Sequence, residues 1–494
     1  MLNPQHAYLA FDLGAESGRA VLGRLQADNL TIEEPHRFAN EPVQYNGELH
    51  WDAPRLWLEI QKGLALAAST CGTRLSGIGV DTWGVDYALL GENGALLENP
   101  FHYRDSRTGG VMERVCGVLS RDEIYSQTGI QFMEVNTLYQ LYAGFQKTPK
   151  LYRSAERLLT IPDLFNFWLT GEASCEFTNA TTTQFYNPRQ RRWATELLQK
   201  LGLPTHFLPP VIQPGTVLGP LSAAVASQTG AGTVPVIAPA CHDTGSAVAA
   251  VHSADQSVFI SSGTWSVLGT EVREPVINSV AQRLNFTNEG GVCGTFRLLK
   301  NIAGLWLLQA CRRDWQCRGQ DYSYSELVGL AQAKPGFRSL VDPDHPSFLR
   351  AASMPEAISR FCRVTDQPEP EDPAAYTRAI LEGLALKYRL VAEALEQLTG
   401  KSSREIRIVG GGAKNQLLNQ LTADATGRRV IAGPTEATAL GNIGMQMLAT
   451  GAARSLTEVR EVIARSFPPQ VYEPRETDKW QEVYKTFREY CEVR

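Results

Sequence analysis

Two stretches in opposite halves of the chain follow one plan. "FDLGAESGRAVLGRL" near the start and "SVFISSGTWSVLGTEV", Ser257 to Val272, each read as apolar strand, turn of small and polar residues, and second apolar strand. Apolar runs broken by Gly/Ser/Thr turns predict β-hairpins. The same hairpin made once in each half points to a duplicated chain. Around the hairpins, strand-like and helical runs alternate, which sets the class as α/β. "RLWLEIQKGLALAAS" repeats apolar residues at helical spacing, and "SGIGVDTWGVDYALL" reads strand, break, strand. Later, Leu381, Leu384, Tyr388, Val391, Leu395 and Leu398 fall on one helical face, stopped at Gly400. "REIRIVGGGAKNQLLNQLTADATG" reads strand, triple glycine, helix. The last segment places Trp480, Val483, Tyr484, Phe487 and Tyr490 on one face, which must dock on a core. The echo divides the chain into domains 1–248 and 249–494, with the last helix able to pack back on the first.

The 494 residues, at roughly 150 per domain, allow two large domains with their own cores. No run approaches the ~18 apolar residues of a membrane span. "MLNPQHAYLAFDLG" lacks the basic and apolar regions of a secretory signal, so a cytoplasmic protein without a membrane partner is expected. The nine cysteines are scattered with no C-x-x-C, and the eight His show no zinc-ligand spacing. Reduced thiols and no zinc are expected. A net charge of −5 argues against a nucleic-acid groove, which needs a basic footprint. It leaves room for a small anion held by backbone amides and helix ends.

Each chemical motif admits two readings. Asp243, in "VPVIAPACHDTGSAVAA", stands where an apolar strand gives way to a helix of small residues. It is either a helix N-cap or a base that takes a proton from a substrate. Asp12 closes a strand and precedes Gly14-Ala15-Glu16-Ser17-Gly18-Arg19. That turn is a phosphate clasp, with Ser17 and Arg19 as donors, or an ordinary hairpin. Ser261-Ser262-Gly263-Thr264 poses the same choice in the other half. Gly410-Gly411-Gly412, with Asn415 as a possible donor, suits close approach by a ligand or a tight strand–helix turn. Asp81 and Asp86 flank Trp83 and Gly84. They read as paired carboxylates beside a sugar-facing wall, or as turn residues with packing. "LTGKSS" mimics the end of a P-loop, but Leu395 stands where its first glycine belongs and the helix–strand order is reversed.

Together "FDLGAESGR", "DTWGVD", "YRDSRT", "IPDLFNFWLTGE", "TNATTTQFYN", "CHDTGSA", "SSGTW", "NEGG", "LLKNIAGLWLLQ" and "IVGGGAKNQLLNQL" resemble the FGGY carbohydrate kinases, nearly end to end and in the same order. Within the family the likeness is greatest to members acting on L-rhamnulose. The resemblance implies two duplicated ribonuclease-H-like domains of the actin/Hsp70 type around a central cleft, the first on the sugar side and the second on the nucleotide side. It implies ATP and a small ketose as partners, Mg²⁺ as cofactor, and a monomer or homodimer. By motif match Ala15, Glu16, Ser17, Gly18, Arg19 and Thr264 would meet the ATP phosphates. Gln309 and Gly411 would line the nucleotide pocket. Gly84, His242, Asp243, Thr244 and Asn301 would surround the sugar, with Asp243 the base and Asp12 near Mg²⁺, through water.

Glu16 departs from the pattern, standing where a small Ser is usual; its side chain is expected to point away from the phosphates. A helix N-terminus under Asp243 is expected to keep it ionised, so that cap and base need not compete. The alternatives are a kinase for another ketose, such as L-fuculose or a pentulose, and a nucleotide-switch protein like the actin and Hsp70 relatives.

Overall fold

The structure, a computed structural model, describes residues 6–71, 75–251, 257–349 and 351–492. Residues 1–5, part of the stretch read for a leader, lie outside this description. The chain forms two compact units. The first comprises Met1–His252, Glu271–Leu298 and Ala437–Phe467; the second comprises Ser253–Thr270, Leu299–Glu436 and Pro468–Arg494.

In the first unit, strands β1 (His6–Leu13), β2 (Ser17–Gln26), β3 (Asn29–Ala39), β4 (Leu75–Thr82), β5 (Thr216–Pro220) and β6 (Pro235–Ala238) form one sheet in the order β5-β6-β4-β1-β2-β3. The hairpin β1–β2 is antiparallel, whereas β4 runs parallel to both β1 and β6. Seven of the eight β1 residues are buried, as a strand covered on both faces requires.

Alternation along β4 explains its sequence. Ile78 and Val80 join the core cluster that includes Leu56, Ile60 and Leu64 of the helix Ala53–Cys71. Gly77 and Gly79 face the other way, and a Cβ at either would press on Gln446 or Asn442 of the helix Ala437–Ala449. Asp81 continues that glycine row and accepts a hydrogen bond from Asn442 (2.6 Å). The same helix meets the helix Asp243–Ala249 so closely at Gly441 that a Cβ there would lie 1.8 Å from the Ser246 carbonyl oxygen. Gly is therefore obligatory at 441, and the crossing fixes where the helix beginning at Asp243 can sit.

The second unit repeats the plan. Strands β7 (Val258–Ser262), β8 (Trp265–Val272), β9 (Phe296–Ala303), β10 (Glu405–Val409), β11 (Arg429–Ala432) and β12 (Gln470–Tyr472) follow the order β9-β8-β7-β10-β11-β12, and a seventh strand, Thr287–Gly290, adds to the sheet beside β9. Again the hairpin β7–β8 is antiparallel and its first strand pairs parallel with a later one, β10. β10 and β11 are parallel, and an antiparallel edge strand closes the row, as β5 does beside β6. The duplication seen as two hairpins thus extends across both sheets.

The helix Pro373–Thr399 carries Pro at N1 and Gly400 in the left-handed C-terminal position, as its sequence requires. It is buried nearly all round from Ala379 to Tyr388, a wider face than the single stripe predicted. Gly383 abuts the Val341 carbonyl, where a Cβ would lie at 2.0 Å. The helix Gln416–Thr426 packs on it, and the terminal helix Thr477–Tyr490 packs on both, burying Trp480, Tyr484 and Phe487. The terminal helix therefore docks within the second unit, and Ala437–Phe467 is the late segment that clusters with the first. Among the described residues no helix is long and apolar enough to cross a membrane. All nine cysteines are free thiols.

Candidate active site

In the first unit the acidic residues converge at the strand ends. Asp12 on β1 is in register with Arg19 on β2 and Asp81 on β4. The Arg19 guanidinium donates to Asp12 Oδ2 through Nη2 (2.6 Å) and Nε (3.0 Å). Arg19 thus serves the neighbouring carboxylate as well as the turn. The turn itself is tight: the Gly14 N–H meets the Ser17 carbonyl (2.9 Å), and Asn40 ties down the Gly14 carbonyl (2.8 Å). Gly18 lies against the Phe38 ring, where a Cβ would sit 2.3 Å from ring atoms. Ala15 is half-buried and Glu16 is exposed, in line with a side chain turned to solvent.

Asp243 is the first helical residue of Asp243–Ala249, and His242 holds the N-cap position, with φ −80° and ψ 122°. The cap reading is corrected accordingly: His242 makes no side-chain cap bond, and Asp243 Oδ1 accepts instead from its neighbour, the Thr244 N–H (2.5 Å) and hydroxyl (3.1 Å). No hydrogen bond among the described residues reaches the other carboxylate oxygen, and 30% of the side chain stays open to solvent. Burial and the nearby Asp12 charge push the Asp243 pKa up, although His242 and the Thr244 bonds pull it down. The helix start therefore does not dominate its ionisation; desolvation does. Burial, with the charges of Asp12 and Asp243, also pushes Asp81 well up, and its Oδ1 has no hydrogen-bond partner among the described residues.

His242 Nε2 lies 3.5 Å from Asp243 Oδ1. Its Nδ1 lies between Glu289 Oε2 (3.3 Å) and Arg297 Nη2 (3.2 Å). Arg297 is fully buried, bonds the Gly290 carbonyl (2.7 Å) and pairs with Glu289 (3.1 Å). Burial alone would raise the Glu289 pKa, but the Arg297 charge and then His242 outweigh it and the net shift is downward. Gly84 faces His242, for a Cβ there would sit 3.3 Å from Nε2 and 3.2 Å from Thr182. Next to it Val85, a β-branched residue, holds φ at +69°. That backbone is costly and is clamped from both sides: the Thr182 hydroxyl accepts from the Val85 N–H (3.2 Å), and the Thr137 hydroxyl donates to its carbonyl (2.6 Å).

Asp81 and Asp86 enter separate networks. Asp86 is buried and accepts from Trp51, Trp83, the Tyr103 N–H and Gln140, and burial lifts it to about 6. Trp83 packs on Trp51 with centroids 4.1 Å apart and is 6% exposed, so it belongs to the packed floor and offers no sugar-facing wall.

In the second unit, the β7–β8 turn and the helix Trp306–Cys317 come together. Thr264 Oγ1 accepts from Gln309 Nε2 (3.1 Å), and the Gly263 and Thr264 carbonyls accept from Leu305 and Trp306 (3.0 Å each). Asn301 lies on β9, half-buried. The triple glycine divides. Gly410 has φ +82° and abuts the Ser262 carbonyl, and Gly412 abuts the Ser262 side chain. Only Gly411 is exposed, with open space where a Cβ would be. Two of the three glycines thus answer to packing. Asn415 caps the helix Gln416–Thr426, its Oδ1 accepting from the Leu418 N–H (3.0 Å).

The family description "FGGY family of carbohydrate kinases, N-terminal domain" fits residues 7–250, and its C-terminal counterpart fits residues 258–450. The chain is 43% identical over 482 residues to rhamnulokinase of Bacteroides thetaiotaomicron, covering 97% of this chain and 98% of that one. It is 40% identical over 468 residues to rhamnulokinase of Oceanobacillus iheyensis, covering 95% and 98%. Its fold is similar to that of ligand-bound xylulose kinase from Lactobacillus acidophilus, with a TM-score of 0.82 at 18% identity over 99% and 98% of the two chains. Plasmodium falciparum glycerol kinase with ADP gives a TM-score of 0.79 at 15% identity over 99% of each chain. Both family halves are present in order across nearly the whole sequence, and the chain belongs to the FGGY family of carbohydrate kinases.

Proposed function

We propose that the protein is a cytoplasmic sugar kinase that transfers the γ-phosphate of ATP to the 1-hydroxyl of L-rhamnulose. The products are L-rhamnulose 1-phosphate and ADP, a step of L-rhamnose breakdown. The substrate assignment rests on the relatives named rhamnulokinase, 40–43% identical over nearly the full length. The chemistry rests on Asp243. A ketose hydroxyl is a poor nucleophile at neutral pH, and a carboxylate with a free oxygen can take its proton as attack on phosphorus develops. The O–H bond breaks toward Asp243, the new O–P bond forms, and the bond from the γ-phosphorus to its bridging oxygen breaks with its electron pair leaving on ADP. The raised pKa of Asp243 makes it the better proton acceptor.

The remaining roles follow. Gly84, His242, Thr244 and Asn301 hold the sugar, and the backbone of Ala15, Glu16, Ser17, Gly18 and Arg19 holds the phosphates with Thr264. Gln309 and Gly411 face the nucleoside. The sugar side, expected in 1–248, is carried by the first unit, which also takes in 271–298 and 437–467, and the nucleotide side by the second. The donors at Asp12 suit Mg²⁺: Asp12 and Asp81 sit side by side on adjacent strands, and Asp81 Oδ1 is orphaned. A small hard cation of this kind keeps several waters and takes few carboxylates, and Asp12 would hold it through such a water. Bound there, the ion offsets phosphate charge.

ADP release is measured with L-rhamnulose, L-rhamnose, L-fuculose and D-xylulose. The highest kcat/KM is expected with L-rhamnulose. Preference for another ketose would overturn the substrate, and ADP release indifferent to sugar would overturn the kinase assignment.

A further inference from the structure

The junction that carries Asp243 is held from behind by a buried carboxylate that neither sequence motif nor mechanism has used. Glu176 is wholly buried at the start of the short helix Phe177–Ala180. Its Oε1 accepts from the Thr178 N–H (2.9 Å). Its Oε2 accepts from the Thr178 hydroxyl (2.5 Å) and from the Cys241 N–H (2.9 Å). The Thr178 hydroxyl oxygen in turn accepts from the His242 N–H (3.0 Å). The two N–H groups immediately before Asp243 therefore end on one carboxylate, one directly and one through a hydroxyl. Both precede the first helical turn and have no partner within the helix. On the opposite side the Cys241 carbonyl accepts from the Thr82 N–H (2.9 Å), and the Ala240 carbonyl accepts from the Ser246 hydroxyl (2.7 Å). Thr178 also packs on the helix at Gly245, where a Cβ would lie 3.3 Å from its own.

Capping a helix of four residues does not account for this arrangement. A Ser would cap it without burying a carboxylate, which is costly unless its bonds compensate. What a two-oxygen acceptor provides is a single side chain that holds both the Thr178 N–H and, 65 residues away in the chain, the Cys241 N–H.

We propose that Glu176, relayed by Thr178, is a positioning residue that fixes the Cys241–His242 turn and so the direction in which Asp243 presents its free oxygen. This rests on the reading of Asp243 as the base. Misplacing a reacting group by about 1 Å costs up to roughly 100-fold in rate, so the effect belongs in kcat.

The test compares Glu176→Gln, Thr178→Val, Thr178→Ser and Asp243→Asn in sugar-dependent ADP release, with melting curves on the same samples. Gln keeps the size but, in either flip, turns a donor toward an N–H that now meets an acceptor. For Glu176→Gln and Thr178→Val, kcat is expected to fall about 10- to 100-fold, with KM for ATP within about twofold of the parent. Thr178→Ser is expected to retain most of the rate, because it keeps the hydroxyl. A merely structural role would lower the melting temperature without moving kcat of the folded enzyme. Folded Thr178→Val with parental kcat overturns the proposal, whether or not Glu176→Gln folds. Asp243→Asn separates the two readings. If it is inactive while the Glu176 and Thr178 variants are active, only the positioning role falls; if it turns over like the parent, the base and the positioning role fall together.

Discussion

Replacing Arg297 by Met is expected to convert Glu289 from a paired to a stranded buried charge, with a signature in both stability and its pH dependence. Arg297 is 0% exposed and Glu289 is 7% exposed, so solvent screens their 3.1 Å pairing little. Removing one partner of a buried pair costs about 3–5 kcal/mol. The first unit has roughly 300 residues, and at about 2.1 cal/mol/K per residue that loss lowers its melting temperature by roughly 5–8 °C. The pH dependence follows from the sign of the shift. In the parent the Glu289 pKa is depressed, so its contribution is complete above the ordinary carboxylate value and is lost only as pH falls through the lowered one. Without Arg297, burial raises the pKa above its unfolded value, and the penalty grows as pH rises from about 4.5. The melting deficit of Arg297→Met should therefore be larger at pH 8 than at pH 5. Adding Glu289→Gln should recover most of it, because a neutral pair strands no charge. The assay is thermal unfolding of parent, both single variants and the double variant across that range. A single variant within about 2 °C of the parent, or a double variant no better than Arg297→Met, would refute the reasoning.

The buried carboxyls predict the pH response of the parent. Burial lifts Asp163 to about 7, so between the ordinary carboxylate value and that pH the folded state holds a proton that the unfolded chain has released. The parent should lose stability relative to Asp163→Asn as pH rises from about 5 to 7.5 in thermal melts; a gap that stays constant over this range contradicts it. The glycine triplet predicts a contrast. Gly412→Ala puts a Cβ 2.0 Å from Ser262 Oγ and should destabilise by about 1–3 kcal/mol in denaturant titration. Gly411→Ala meets nothing within 4 Å, so its melting temperature should be unchanged while KM for ATP rises; an unchanged KM removes Gly411 from the nucleotide site.

The duplicated hairpins were legible because a strand–turn–strand pattern is local: β1–β2 and β7–β8 lie where their apolar runs and small-residue turns put them. The Asp243 junction was legible for the same reason. Its capping role was misjudged by one residue, since extended backbone persists through His242 and the helix begins on Asp243 itself. The glycines at 410 and 412 looked like ligand contacts because sequence does not reveal that Ser262 fills the space beside them. The tie of Glu176 to Cys241 and the trio His242–Glu289–Arg297 join residues far apart in the chain, and no spacing rule reaches them. The one local hint was a carboxylate set among Cys175, Phe177 and Thr178, where an apolar residue is usual. Likewise, no local pattern says which unit the helix Ala437–Ala449 joins; Asn442 and Gln446, polar yet fully buried, tie it to the first through Asp81 and the Leu9 carbonyl.

The central claim is that Asp243 takes the proton of the sugar hydroxyl, and Asp243→Asn tests it most directly. Asn matches the size and keeps an oxygen for the Thr244 N–H, which Asp243 now engages through Oδ1, but it cannot accept the proton. Sugar-dependent ADP release, measured with the melting temperature of the same sample, should fall by roughly 10²- to 10⁴-fold while the fold and ATP affinity persist. A folded Asp243→Asn enzyme that turns over L-rhamnulose at close to the parental rate would contradict the account.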